Sequence, residues 1–280
     1  MKKTFFAIIC IFSFALLAGC ANDQYSIERR YWKVQKLAEK IFKNPDASPP
    51  RQLDIAVSKL QNFAKRYEKN NLAVDAEFTI PRLYLVKKEY VKGRAALSSL
   101  IEKYKKNENL CAEAMFLIGN SYEIQDKWAS ALGEYKRIIQ TYPVTMRGLD
   151  VPVYIAQHYK VSYQPDKMLE AYHEAIAHYK ALSEKFPNSI LAFNADTLVI
   201  RIYSEIKNWP AVIISLDSII EKYKGKVKAD TFLLEKALVY SKQLKNNQKA
   251  KEALEVLIKD YPDSRLVKPA KKFLADLGGK

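Results

Sequence analysis

Along most of the chain, apolar residues recur at steps of three and four, broken by short polar clusters, which is the spacing of amphipathic helices. One hexapeptide closes this pattern six times: F-A-K-R-Y-E at 63–68, L-I-E-K-Y-K at 100–105, I-I-Q-T-Y-P at 138–143, L-S-E-K-F-P at 182–187, I-I-E-K-Y-K at 219–224 and L-I-K-D-Y-P at 257–262. Successive copies end 37, 38, 44, 37 and 38 residues apart. Twelve residues before each end stands Ala56, Gly93, Ala131, Ala175, Val212 or Ala250, and four residues later Leu60, Leu97, Tyr135, Tyr179, Leu216 or Leu254. A small residue set one turn from a bulky one lets two helices approach and interlock. An earlier helix precedes each of these, as in M-F-L-I-G-N-S-Y at 115–122, Y-I-A-Q-H-Y at 154–159 and V-I-R-I-Y at 199–203. Polar turns such as 125–127 and 245–247 separate the two helices of a pair. The pattern predicts an all-α array of helix–turn–helix units over 25–275, with a loose tail at 276–280.

Departures from the repeat are also readable. Pro81 stands where the first helix of its unit wants a small residue, and predicts a kink or restart there. Pro210 falls at the first turn of a second helix, where proline is tolerated. Residues 44–50 interrupt the first unit, and about six extra residues near 161–169, Pro165 among them, lengthen the fourth. The ends at 68, 105 and 143 map onto 187, 224 and 262 by a constant shift of 119. Two readings fit that shift: halves at 25–144 and 152–275 joined by a 145–152 loop, or equal repeat lengths without duplication.

The front of the chain reads differently. Lys2 and Lys3 precede an apolar run at 5–17, too short for a comfortable membrane span. The run ends in Leu17-Ala18-Gly19-Cys20, which resembles the bacterial lipobox, whose Cys becomes the acylated N-terminus. That resemblance implies a signal peptide at 1–19, a lipid on Cys20 and a short tether at 20–24. Ala21 after the Cys resembles the outer-membrane sorting pattern, so the expected location is the outer membrane, facing the periplasm. Cleavage would leave 44 basic against 31 acidic side chains, a net charge of +13 in place of +15. It would also leave Cys111 as the one unacylated cysteine, so no intramolecular disulfide is possible; an apolar helical setting makes it a core residue.

The unit at 112–143 is similar to the tetratricopeptide repeat (TPR), a helix–turn–helix of about 34 residues. It carries Ile118, Gly119, Tyr122, Ala131, Tyr135 and Pro143 at that family's spacing, and the other units are degenerate versions of it. The resemblance covers roughly residues 25–275. It implies a right-handed solenoid of about five to six TPR-like units whose first helices line a concave groove. Carried over by position, it places Phe78, Arg82, Phe116, Asn120, Gln157 and Arg201 on that groove as residues that bind a partner.

Chemistry is sparse. There is no G-x-x-x-x-G-K-[ST], G-x-G-x-x-G, H-E-x-x-H or G-x-S-x-G motif. His173 and His178 are five apart and share a helical face poorly; with His158 remote in sequence, no metal site or cofactor is expected. The shortage of glycine, 8 in 280, is under half the usual ~7% and argues against glycine-looped nucleotide folds. The basic surplus points to nucleic acid by reflex. For an extracytoplasmic lipoprotein, however, anionic lipid surfaces or acidic protein faces are the expected partners, and nucleic acid is not. The resulting expectation is a non-catalytic, membrane-anchored scaffold for envelope proteins or their extended segments. Lipid plus repeats resembles BamD of outer-membrane protein assembly. A CpoB-like protein of the Tol–Pal system, whose C-terminal repeats resemble Tyr261-Pro262-Asp263-Ser264-Arg265, is the first alternative. An enzyme or accessory subunit of polysaccharide or peptidoglycan processing is the second.

Overall fold

The computed structural model describes residues 23–278; the signal-peptide segment, Cys20 and the last two residues lie outside the described residues. Thirteen α-helices are described: α1 (Gln24–Lys43), α2 (Pro50–Arg66), α3 (Asn71–Val86), α4 (Tyr90–Lys103), α5 (Glu108–Glu123), α6 (Trp128–Thr141), α7 (Met146–Val161), α8 (Pro165–Lys185), α9 (Ile190–Glu205), α10 (Trp209–Lys222), α11 (Asp230–Leu238), α12 (Asn247–Asp260) and α13 (Val267–Gly278). A π turn, Val239–Gln243, extends α11. There is no strand among the described residues. Within each compact unit, consecutive helices joined by short turns pack as hairpins, and helices from neighbouring pairs touch, as α1 and α3 do. The chain divides into two compact units, residues 1–138 and 139–280.

The first unit holds α1 to α5 and most of α6. Its main core is built from Ile41, Leu53, Ala56, Leu60, Ala76 and Leu83, and a second cluster gathers Phe78, Leu97, Leu100, Ala114 and Ile118. The second unit holds α7 to α13. Leu216, Val212 and Ile219 anchor one of its clusters, and Leu254, Leu257, Ala250 and Ala270 anchor another. Ala270 lies on α13, which covers the apolar face that α12 would otherwise leave open, as terminal repeats require.

The small position is filled by Ala or Gly in five units and by Val212 in the fifth as an exception, and all six of these residues and all six bulky ones are buried. Gly119 shows why smallness matters: a Cβ there would lie 2.5 Å from the ring of Tyr135, so only hydrogen lets α5 and α6 close on that tyrosine. The phenol then donates to Glu123 at 2.8 Å, satisfying the one polar atom this packing buries.

The turn inside each of five pairs uses one device. Lys88, Asp126, Tyr163, Lys207 and Lys245 take positive φ, between 55° and 63°. In four of them the N–H of the next residue reaches back five positions: Glu89 to Tyr84, Lys127 to Tyr122, Gln164 to Tyr159 and Asn208 to Tyr203, at 2.8–3.0 Å. This is the Schellman closure, with Lys, Asp or Tyr where glycine is usual. In the sixth pair the π turn adds one residue, and Asn246 reaches Tyr240 across six positions at 2.8 Å.

Two expectations need correction. Residues 145–152 are not a connecting loop: α7 begins at Met146, with Thr145 Oγ1 accepting from the Gly148 N–H at 3.0 Å. Pro152 lies inside that helix. Its missing N–H frees the Gly148 carbonyl from its place in the helical ladder, yet the helix continues through it to Val161. Nor does Pro81 restart its helix; α3 runs from Asn71 to Val86 with Pro81 buried inside it. The extra residues of the fourth unit lengthen α8 to 21 residues, starting at Pro165.

Candidate functional site

Six residues were expected on a groove formed by first helices. In the first unit, Arg82 of α3 and Glu113 of α5 pair across neighbouring first helices, Nη2 to Oε1 at 3.3 Å, with the guanidinium still half open to solvent. Phe116 is half-buried on α5 with its ring centroid 5.5 Å from that of Tyr135, and Asn120 is half-buried one turn further along. Phe78 is in the core. It is 5% exposed, packed with Leu97, Leu100 and Ile118, and its ring is 6.5 Å from Tyr104. The physical reason is that α3 has helices on several sides. Ala76, Phe78, Thr79, Ile80, Pro81, Leu83 and Leu85 are all buried, so its burial exceeds a single stripe. Phe78 therefore offers a partner no ring.

In the second unit, Gln157 and Arg201 do come together. They line an open cleft of about 260 Å³ between α7 and α9, with Arg147, Asp150, Tyr154 and Leu198. Both are exposed, and Arg201 has no ion-pair partner among the described residues. Lys160 and Glu205 pair at 2.9 Å between the same two helices, and the carboxylate raises the lysine pKa. Two arginines against one aspartate, with an amide, a phenol and a leucine, suit a carboxylate, a peptide backbone and an apolar side chain respectively. Arg147, Asp150 and Glu113 were missed from the sequence. The repeat consensus gives positions on the first helix but not which neighbouring charge each one meets.

A second feature repeats between the units. Glu77 of α3 accepts from Tyr104 Oη at 2.8 Å and from Lys103 Nζ at 2.5 Å. Shifted by 119, Asp196 of α9 accepts from Tyr223 Oη at 2.9 Å and from Lys222 Nζ at 2.8 Å. Each triad fastens a first helix to the end of its partner. Burial and then the neighbouring carboxylate push both tyrosine pKa values up. Cys111 is buried, as expected of a core thiol. His173 is exposed and His178 half-buried, and no group of three or more His, Cys, Asp or Glu able to hold a metal is present among the described residues.

Among solved structures, the chain is similar to BtubC from P. vanneervenii (13% identity, 91% of this chain and 93% of that chain, TM-score 0.41). It is also similar to the TPR2AB domain of yeast Sti1 in its pHSP90 complex (12%, 89% and 98%, TM-score 0.32). A third likeness is to a tetratricopeptide repeat protein from Parabacteroides merdae (12%, 82% and 80%, TM-score 0.37). No curated protein matches. The tetratricopeptide repeat family matches residues 113–143 and 232–264, the third and sixth helix pairs, whose starting points are themselves 119 residues apart. In those two stretches the chain carries tetratricopeptide repeats.

Proposed function

We propose that this chain is a non-catalytic scaffold of the bacterial cell envelope, acylated at Cys20 and held on the periplasmic face of the outer membrane. There it captures extended segments of envelope proteins, in the manner of BamD in outer-membrane protein assembly. The observation that carries the binding part is the cleft between α7 and α9, where Gln157 and Arg201 meet. Its mix of exposed cation, amide and apolar wall matches an extended peptide better than a small metabolite, which would need enclosure. The envelope part rests on L-A-G-C at 17–20. A Tol–Pal role of the CpoB kind is the second reading, suggested by the resemblance of Tyr261-Pro262-Asp263-Ser264-Arg265 to that family's C-terminal repeats. Against it, α1 is a single 20-residue helix without sustained heptads, where that family carries a coiled coil.

Affinity purification from detergent-solubilised membranes, followed by mass spectrometry, separates these readings. Recovery of a barrel-insertion protein supports the first and recovery of Pal the second. Recovery of neither contradicts both.

A further inference from the structure

Helix α1 carries an unusual exposed face. At 100° per residue, Tyr25, Arg29, Trp32, Lys33, Lys36, Lys40 and Lys43 fall on one arc of roughly 100° along its whole length, about 30 Å. All are exposed; Tyr25 is 73% and Trp32 59% open to solvent. The opposite arc, with Ile27, Ala38 and Ile41, is buried in the first unit. The acidic residues of α1 are Glu28, which accepts from Gln24 at 2.7 Å, and half-buried Glu39, both at the edge of the arc. None of the five basic side chains has an ion-pair partner among the described residues.

We propose that this face docks on an anionic phospholipid surface. Basic side chains alone would serve an acidic protein equally well. What favours lipid is Trp32 and Tyr25, amphipathic rings that settle at the headgroup level, set among cations whose alkyl stems can snorkel. Position adds a second argument. The face begins five residues after Cys20, so on the anchored reading α1 is the element held closest to the bilayer. The proposal deepens that reading by assigning the surface that meets the membrane, but it does not require the acyl chain.

The test uses residues 20–280 with Cys20→Ala, which keeps all thirteen helices and removes the acylation site, so its outcome is independent of whether Cys20 is acylated. It is titrated with vesicles of neutral phosphatidylcholine and with vesicles containing one-quarter phosphatidylglycerol. Binding is expected to the anionic vesicles only, lost at high salt, with a blue shift of tryptophan emission that Trp32→Ala abolishes. Each basic residue at an anionic surface is worth about a five-fold change in partitioning. Lys33→Gln, Lys36→Gln and Lys40→Gln combined should therefore weaken it about a hundred-fold, with an unchanged melting curve. Equal binding to neutral vesicles, no binding, or undiminished binding by the triple variant would overturn the proposal. Capture of poly-glutamate without binding to vesicles would assign the face to protein and overturn it equally.

Discussion

At the scale of single residues, three positions carry sharp consequences. A Cβ on Gly148 would sit 2.2 Å from the Tyr142 carbonyl oxygen and 2.7 Å from Pro143, and backbone atoms cannot step aside as a side-chain tip can. Gly148→Ala should cost about 2 kcal/mol, read by chemical denaturation. Gly133 is the opposite case: it lies exposed in α6 with nothing within 4 Å of its would-be Cβ, so Gly133→Ala should stabilise by about 0.5–1 kcal/mol. His178 should give the fold a pH dependence. Burial lowers its folded pKa, opposed in part by the nearby Gly148 backbone, and Nε2 has no hydrogen-bond partner among the described residues. The unfolded chain takes up its proton near pH 6.5 and the folded chain only below that. As pH falls below about 6.5 the unfolded state therefore binds more protons and stability drops. Melting curves from pH 7.5 to 5 should show this decline, and His178→Gln should flatten it. Glu235, whose pKa is raised by burial, acts in the opposite sense at lower pH, so the difference between wild type and variant is the quantity to read. The small and bulky positions were legible in the sequence because they repeat. Phe78 was not: its consensus position says groove, while the helices around α3 put it in the core.

At the scale of elements, helix pairing was legible and the connections were less so. The stretch 145–152 reads as a loop because Gly148 and Pro152 are breakers in isolation. The helix is held instead by the Thr145 cap on the Gly148 N–H and by packing on α8, whose Tyr179 donates to the Leu149 carbonyl 30 residues back, a contact no local pattern announces. The Schellman turns hold a related cost. Lys207 sits at φ 57°, where a Cβ is unfavourable by roughly 1–2 kcal/mol. Lys207→Gly should relieve part of that and raise stability by about 0.5–1 kcal/mol, despite glycine's greater entropy when unfolded. The triads make the contrary prediction. Tyr104→Phe removes a hydrogen bond to the half-buried Glu77 and should cost about 1–2 kcal/mol, and Tyr223→Phe should match it at Asp196. The 119-residue correspondence extends beyond spacing. Asn71–Val86, Tyr90–Lys103 and Trp128–Thr141 shift onto Ile190–Glu205, Trp209–Lys222 and Asn247–Asp260 without a residue's difference. The Lys–acid–Tyr triad is shared at the same shift, which both duplication and equal repeat lengths accommodate.

At the scale of the whole molecule, two halves of the account fail independently. The proposed membrane attachment rests on Cys20: acylation by two or three chains would supply the anchoring that a single chain does not. Cys20→Ala should leave an unlipidated precursor that no longer fractionates with the outer membrane, followed by metabolic acyl labelling and density separation. A variant that still matures and stays in that fraction rules the anchor out. The proposed partner capture rests on the first-helix faces, and it is the central claim. Arg82 is half open and already paired with Glu113, and Arg201 is exposed in its cleft, so reversing both charges should cost little stability. The most direct measurement is quantitative co-purification from solubilised membranes of wild type against the Arg82→Glu, Arg201→Glu double variant, with the melting temperature of each recorded alongside. The account predicts a folded variant that has lost its specific partner. A variant that melts normally and keeps every co-purifying protein at wild-type level would show that this protein does not work through those faces.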